Sequence, residues 1–136
     1  MTPDEARGFL RDNHHAVLAT FRSDGRPQLS PVLAVIDDEG RVMVSTRETA
    51  MKTKNLRRDP RVSMCLLSDQ FFGGWGQVEG RAEIVSLPEA MDLLVDYYRR
   101  ASGEHGDWDE YRTDMAKQRR VIVRFAIERA GPTVEG

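Results

Sequence analysis

Ser45 and Thr46 stand at the end of an alternating apolar run, and Lys52, Lys54, Asn55, Arg57 and Arg58 follow within a short helical stretch closed by Asp59-Pro60. Between Arg47 and Arg61 there are six basic residues and two acids, in a chain whose formal net charge is −2. Hydroxyls at a strand end, open backbone N–H groups at a helix start and a lysine one turn on are the components of an anion site suited to a phosphate. Lys52 and Lys54 are two positions apart, so one can face a ligand while the other stays solvated. The same residues also read as the outer face of an amphipathic helix, interleaved with Met51 and Leu56.

A second candidate is GRPQLSPVLAV, residues 25–35. Pro27 and Pro31 leave backbone groups unpaired by a sheet, which suits either a planar ligand or a blunted edge strand. Trp75 and the Phe71-Phe72 pair offer aromatic surface, as core, dimer contact or ligand wall. Other chemistry is thinly represented. His14 and His15 are adjacent and point to opposite sides of a strand, and His105 has no second histidine or cysteine placed to help it hold a metal. Asp37-Asp38-Glu39 reads as a solvated turn, and Cys65 as a buried, inert thiol in an apolar run. No nucleophile elbow, GxGxxG fingerprint or Walker sequence is present. Side chains supply no evident acid, base or nucleophile, so an enzyme built on this chain needs a cofactor that brings its own reactivity.

The elements that position these residues follow from pattern. Thr2-Pro3-Asp4-Glu5 is a capping box opening a helix to about Asp12. Residues 15–22 alternate as a strand, turn at Ser23-Asp24-Gly25 and return over residues 26–36. A second turn at residues 37–40 leads into a strand over residues 41–45. The basic helix, residues 49–58, precedes a strand over residues 61–68. Residues 75–85 read as a strand bulged near Gly80. Ser86-Leu87-Pro88-Glu89 reads as a cap for a helix with Leu87, Met91, Leu94, Val95 and Tyr98 on one face. Asp107 caps a shorter helix to about Arg119, and residues 120–129 form the last strand. About six antiparallel strands with flanking helices predict a mainly β (α+β) chain in a small closed or partly open barrel.

At 136 residues the chain predicts a single domain. A charged N-terminus and the lack of any long apolar run predict a cytoplasmic protein with no membrane partner. The slightly acidic balance argues against nucleic acid.

GRPQLSPV, a strand ending in VST, KTKNLRRDPRV and VEGRAE together resemble the pyridoxamine-phosphate-oxidase-like split β-barrel superfamily. Within it the chain looks most like the actinobacterial branch of reductases dependent on the deazaflavin coenzyme F420, and SGEHGDWDEYRTDMAKQRRVIV is similar to that branch's closing helix and strand. The resemblance implies a homodimer of six-stranded antiparallel split barrels with cofactors in grooves between subunits. It maps the cofactor phosphate onto Ser45, Thr46 and Lys52, with Ala50 and Asn55 beside them. The ring system maps onto Gln28, Leu29, Ser30, Pro31 and Val32, with Trp75 and Gln77 approaching from the neighbouring subunit. Lys54, Arg57 and Arg58 are then outer electrostatics for an acidic tail. Met51 stands where flavin-binding relatives often carry a basic residue, which counts against FMN.

The resemblance thus implies an F420H2-dependent oxidoreductase that passes hydride to an unsaturated small-molecule electron acceptor, with no catalytic side chain and no metal. The alternatives are an FMN-dependent oxidase or reductase of the same fold and a non-enzymatic deazaflavin, flavin or haem binder.

Overall fold

A computed structural model describes residues 1–132. The chain opens with helix α1 (Pro3–Asp12), closed at its start by the expected capping box: the Thr2 hydroxyl accepts from the Glu5 N–H, and the Glu5 carboxylate accepts from the Thr2 N–H. Strands β1 (His15–Phe21) and β2 (Pro27–Leu33) form a hairpin in which Gly25 takes φ +86°, a left-handed value that glycine adopts without strain. Strands β3 (Val35–Ile36) and β4 (Arg41–Arg47) form a second, its turn closed by the Asp37 carboxylate, which accepts from the Glu39 and Arg41 N–H groups. Helix α2 (Met51–Arg58) leads into β5 (Arg61–Leu67) and β6 (Trp75–Arg81). Then come β7 (Glu83–Val85), α3 (Ala90–Ser102), α4 (Trp108–Lys117), β8 (Arg120–Ala126) and β9 (Arg129–Gly131).

The described strands lie in two antiparallel sheets, of order β2-β1-β5-β6-β9 and β3-β4-β8-β7. The mainly β architecture is as expected, but neither sheet closes on itself. Three stretches expected as single strands each serve both sheets. Residues 26–36 break at Ala34, whose N–H donates to the His14 carbonyl at 2.8 Å. Residues 75–85 break at Ala82, whose N–H donates to the Pro60 carbonyl at 2.8 Å, and not at Gly80. Past Ala126 the Glu128 N–H donates to the Glu79 carbonyl at 2.9 Å, and the chain enters β9. At each break one backbone N–H leaves the ladder for another acceptor, as buried backbone groups require. Gly80 has a different use: a side chain there would collide with the Ala126 carbonyl, because β6 and β8 cross closely.

Leu18, Val44, Met64, Leu66, Val78, Val123 and Phe125 are among the buried residues of one core cluster. On the other side of β4 and β8, Val35, Met43 and Ile122 pack against Leu94, Val95 and Tyr111 of α3 and α4. That double burial explains the unbroken apolar runs in β4 and β8. Asp107 caps α4 by accepting from the Glu110 N–H. At α3 the expected cap differs: the N-cap is Glu89, with no side-chain hydrogen bond, and Ser86 instead accepts from Arg57 at 3.2 Å.

Candidate functional site

The end of β4 and the start of α2 are joined by a tight turn, in which the Ala50 N–H donates to the Arg47 carbonyl at 3.1 Å. The Thr53 hydroxyl donates to the same carbonyl at 2.6 Å and pins the first turn of the helix to the strand. Ala50 is the N-cap, in extended conformation and without a side-chain cap. The first N–H groups of α2 therefore have no helical partner and no capping side chain. Thr46 is buried, and its hydroxyl lies 3.5 Å from that of Thr53, the outer limit of a hydrogen bond.

A cleft of about 350 Å³ opens beside this turn, lined by Pro31, Val32 and Leu33 at the end of β2 and by Arg120 at the start of β8. Ser45, Thr46, Arg47, Ala50 and Lys52 complete the lining, and no carboxylate is among them. Burial lowers the Lys52 pKa, and the nearby Arg120 lowers it further. Arg120 is itself lowered, by burial first and then by Arg47, its register partner across β4 and β8. The side-chain hydrogen bond of Arg120 goes to neutral Gln118, at 2.8 Å. Three cations, a strand-end hydroxyl pair and an uncapped helix start form a donor set with no internal counter-charge, and such a set fits a phosphate.

The structure thus brings Ser45, Thr46, Ala50, Lys52, Pro31 and Val32 together, and adds Leu33, Arg47 and Arg120. Arg120 lies far along the chain, and only the pairing of β8 with β4 brings it here. Arg47 could have been found as the residue after Thr46 on the strand. The other expected residues lie elsewhere. The Asn55 amide is buried and donates to Thr20 (3.1 Å) and Gln28 (3.0 Å), which ties α2 to β1 and β2. Ser30 is buried on β2 and Leu29 is 66% exposed on it; neither lines the cleft. Trp75 and Gln77 line a separate groove, also about 350 Å³, with Glu79, Arg129, Ala130, Gly131 and Pro132.

The outer cations are also differently disposed. Arg57 donates to both oxygens of Glu48, at 2.6 and 2.7 Å, and Arg58 to the Phe21 carbonyl at 2.6 Å. Lys54 is exposed. Cys65, expected to be buried, is half-buried on β5, and its partial burial still pushes the thiol pKa up, away from thiolate reactivity. Tyr97 stands behind the cleft and donates to the Leu33 carbonyl at 2.8 Å.

A family model described as pyridoxamine 5′-phosphate oxidase matches residues 2–133. The chain belongs to this family. It is 30% identical over 128 residues to the F420H(2)-dependent biliverdin reductase of Mycobacterium tuberculosis (strain CDC 1551 / Oshkosh), a match covering 93% of this chain and 84% of that protein. It superposes on the crystal structure of the conserved hypothetical protein Rv2991 from Mycobacterium tuberculosis with a TM-score of 0.77 and 30% identity, over 100% of this chain and 93% of that one. A solved F420 reductase shares the fold, with a TM-score of 0.71 at 22% identity over 92% of this chain and 94% of that one. Within the family, the chain sides with the branch of F420-dependent reductases.

Proposed function

We propose that this chain binds coenzyme F420 and acts as an F420H2-dependent oxidoreductase on an unsaturated small molecule. The observation that carries the reading is the acid-free cationic cleft of Ser45, Thr46, Lys52 and the α2 start, in a chain whose 30% identical relative is an F420H(2)-dependent reductase. Lys52 and the two hydroxyls hold the phosphate, and the free N–H groups of α2 direct their dipoles at it. Pro31 and Val32, on the edge strand β2, support the ring where it leaves the cleft. The bound reduced deazaflavin supplies the hydride. The chain's contribution is to fix the ring, exclude water from one face and seat the acceptor at transfer distance.

The site is completed by a second copy of this chain. Trp75 is 45% exposed in a groove that shares no residue with the phosphate cleft, and Leu29 and Leu33 expose apolar surface on β2. The protein works in the cytoplasm, and no helix among the described residues is long and apolar enough to cross a membrane. A flavin reading stays in view because the family's usual cofactor is FMN and three cations suit a phosphomonoester; Met51 in place of a basic residue counts against it.

Removing the lysine tests the phosphate assignment. Lys52→Ala weakens F420 affinity by about 1.5–3 kcal/mol, the scale of a charged hydrogen bond, whereas Lys54→Ala leaves it within a few tenths. Fluorescence titration reads both, and the reverse ranking would overturn the assignment.

A further inference from the structure

We infer that Arg120, acting with Arg47, makes the cleft selective for a ligand end that carries two negative charges rather than one. This rests on the cleft being the phosphate site proposed above. The two arginines are direct register partners on β4 and β8, an arrangement in which like charges repel. Both line the cleft, and so does Lys52. The carboxylate next in sequence, Glu48, is held by Arg57 through both its oxygens. Arg120 is bonded to a neutral amide, and no hydrogen bond or ion pair of the Arg47 side chain is found among the described residues. One anionic charge on Lys52 leaves this pair uncompensated. A second charge, from the second ionisation of a phosphomonoester or from an acidic group next to a phosphodiester, relieves the repulsion and the desolvation together.

Arg120 also lines a neighbouring cleft of about 240 Å³ with Glu48, Ser86, Leu87, Arg119 and Val121. It therefore stands where a ligand longer than its phosphate would pass from one cleft to the next. Its role is to set specificity by charge, at a distance from the reacting carbon.

Methyl phosphate (a dianion at pH 8) and dimethyl phosphate (a monoanion) serve as probes, with melting shifts read at constant ionic strength. In the unaltered protein, methyl phosphate binds about tenfold to a hundredfold more tightly than its diester. Arg120→Gln removes most of that preference while keeping the diester shift, and its melting temperature in chloride alone stays level or rises, because a like-charge pair is gone. Arg47→Gln, at an exposed position, gives the same loss and covers the case in which the Arg120 variant fails to fold. Arg26→Gln, the same charge change on a turn outside the cleft, keeps the preference. Equal binding of the two esters by the unaltered protein, or an undiminished preference in both arginine variants, overturns the assignment of Arg120. If neither ester shifts any of these proteins, the phosphate reading of the cleft fails as well.

Discussion

At the scale of single residues, the Tyr111 phenol shows how burial sets a titration. It is buried under α3, donates to the Leu94 carbonyl at 2.7 Å, and is pushed up to about 12, by burial first and then by Tyr97. A folded pKa above the ordinary value of 10.0 means that this stabilisation is complete below pH 10 and is lost as pH rises towards 12. Lys52 works in the opposite direction: its pKa lies below the ordinary 10.5, so its protonated form costs stability, and the cost is relieved as pH rises towards 10.5. Comparing the protein with Tyr111→Phe isolates the tyrosine. The variant loses about 1 kcal/mol at neutral pH and declines less steeply above pH 10 in urea unfolding. Parallel slopes for the two proteins would contradict this. Ser45, Thr46 and Lys52 were legible in the sequence because one strand end and one helix turn carry them all. Arg120 was not, because a single register of β8 against β4 places it there.

Elements explain what local pattern left out. Helix α2 is placed by Asn55, which binds Thr20 and Gln28, and by Thr53, which binds the Arg47 carbonyl. Asn55 and Gln28, both expected at the cofactor, bond each other across α2 and β2. Asn55→Ala leaves the fully buried Thr20 hydroxyl without that partner, at a cost of about 1–3 kcal/mol in chemical denaturation. Because the start of α2 then shifts, F420 affinity falls as well. Lys52→Ala, by contrast, lowers affinity with stability held or raised; equal stabilities for Asn55→Ala and the unaltered protein would show that the clamp does not hold the helix. The three divided strands look continuous in the sequence for a related reason. Apolar alternation continues across Ala34 and Ala82, and nothing local marks where an N–H turns to a different acceptor.

For the molecule as a whole, the antiparallel, mainly β architecture and the caps of α1 and α4 followed from pattern, since alternation, turn residues and caps are local signals. How the strands divide between two sheets did not, because that depends on contacts distant in sequence. Two parts of the proposed site are correspondingly separate on one chain: the phosphate cleft between β2, β4, α2 and β8, and the Trp75 groove beside β9. The proposed second copy would bring them together, and Leu29, Leu33 and Trp75 are exposed apolar residues open to such a contact.

Titrating coenzyme F420 and FMN separately into cofactor-free protein decides whether this cleft anchors a deazaflavin. Saturable F420 binding is expected, tighter than any binding of FMN and weakened by Lys52→Ala. Micromolar or tighter FMN binding with no binding of F420 would contradict it.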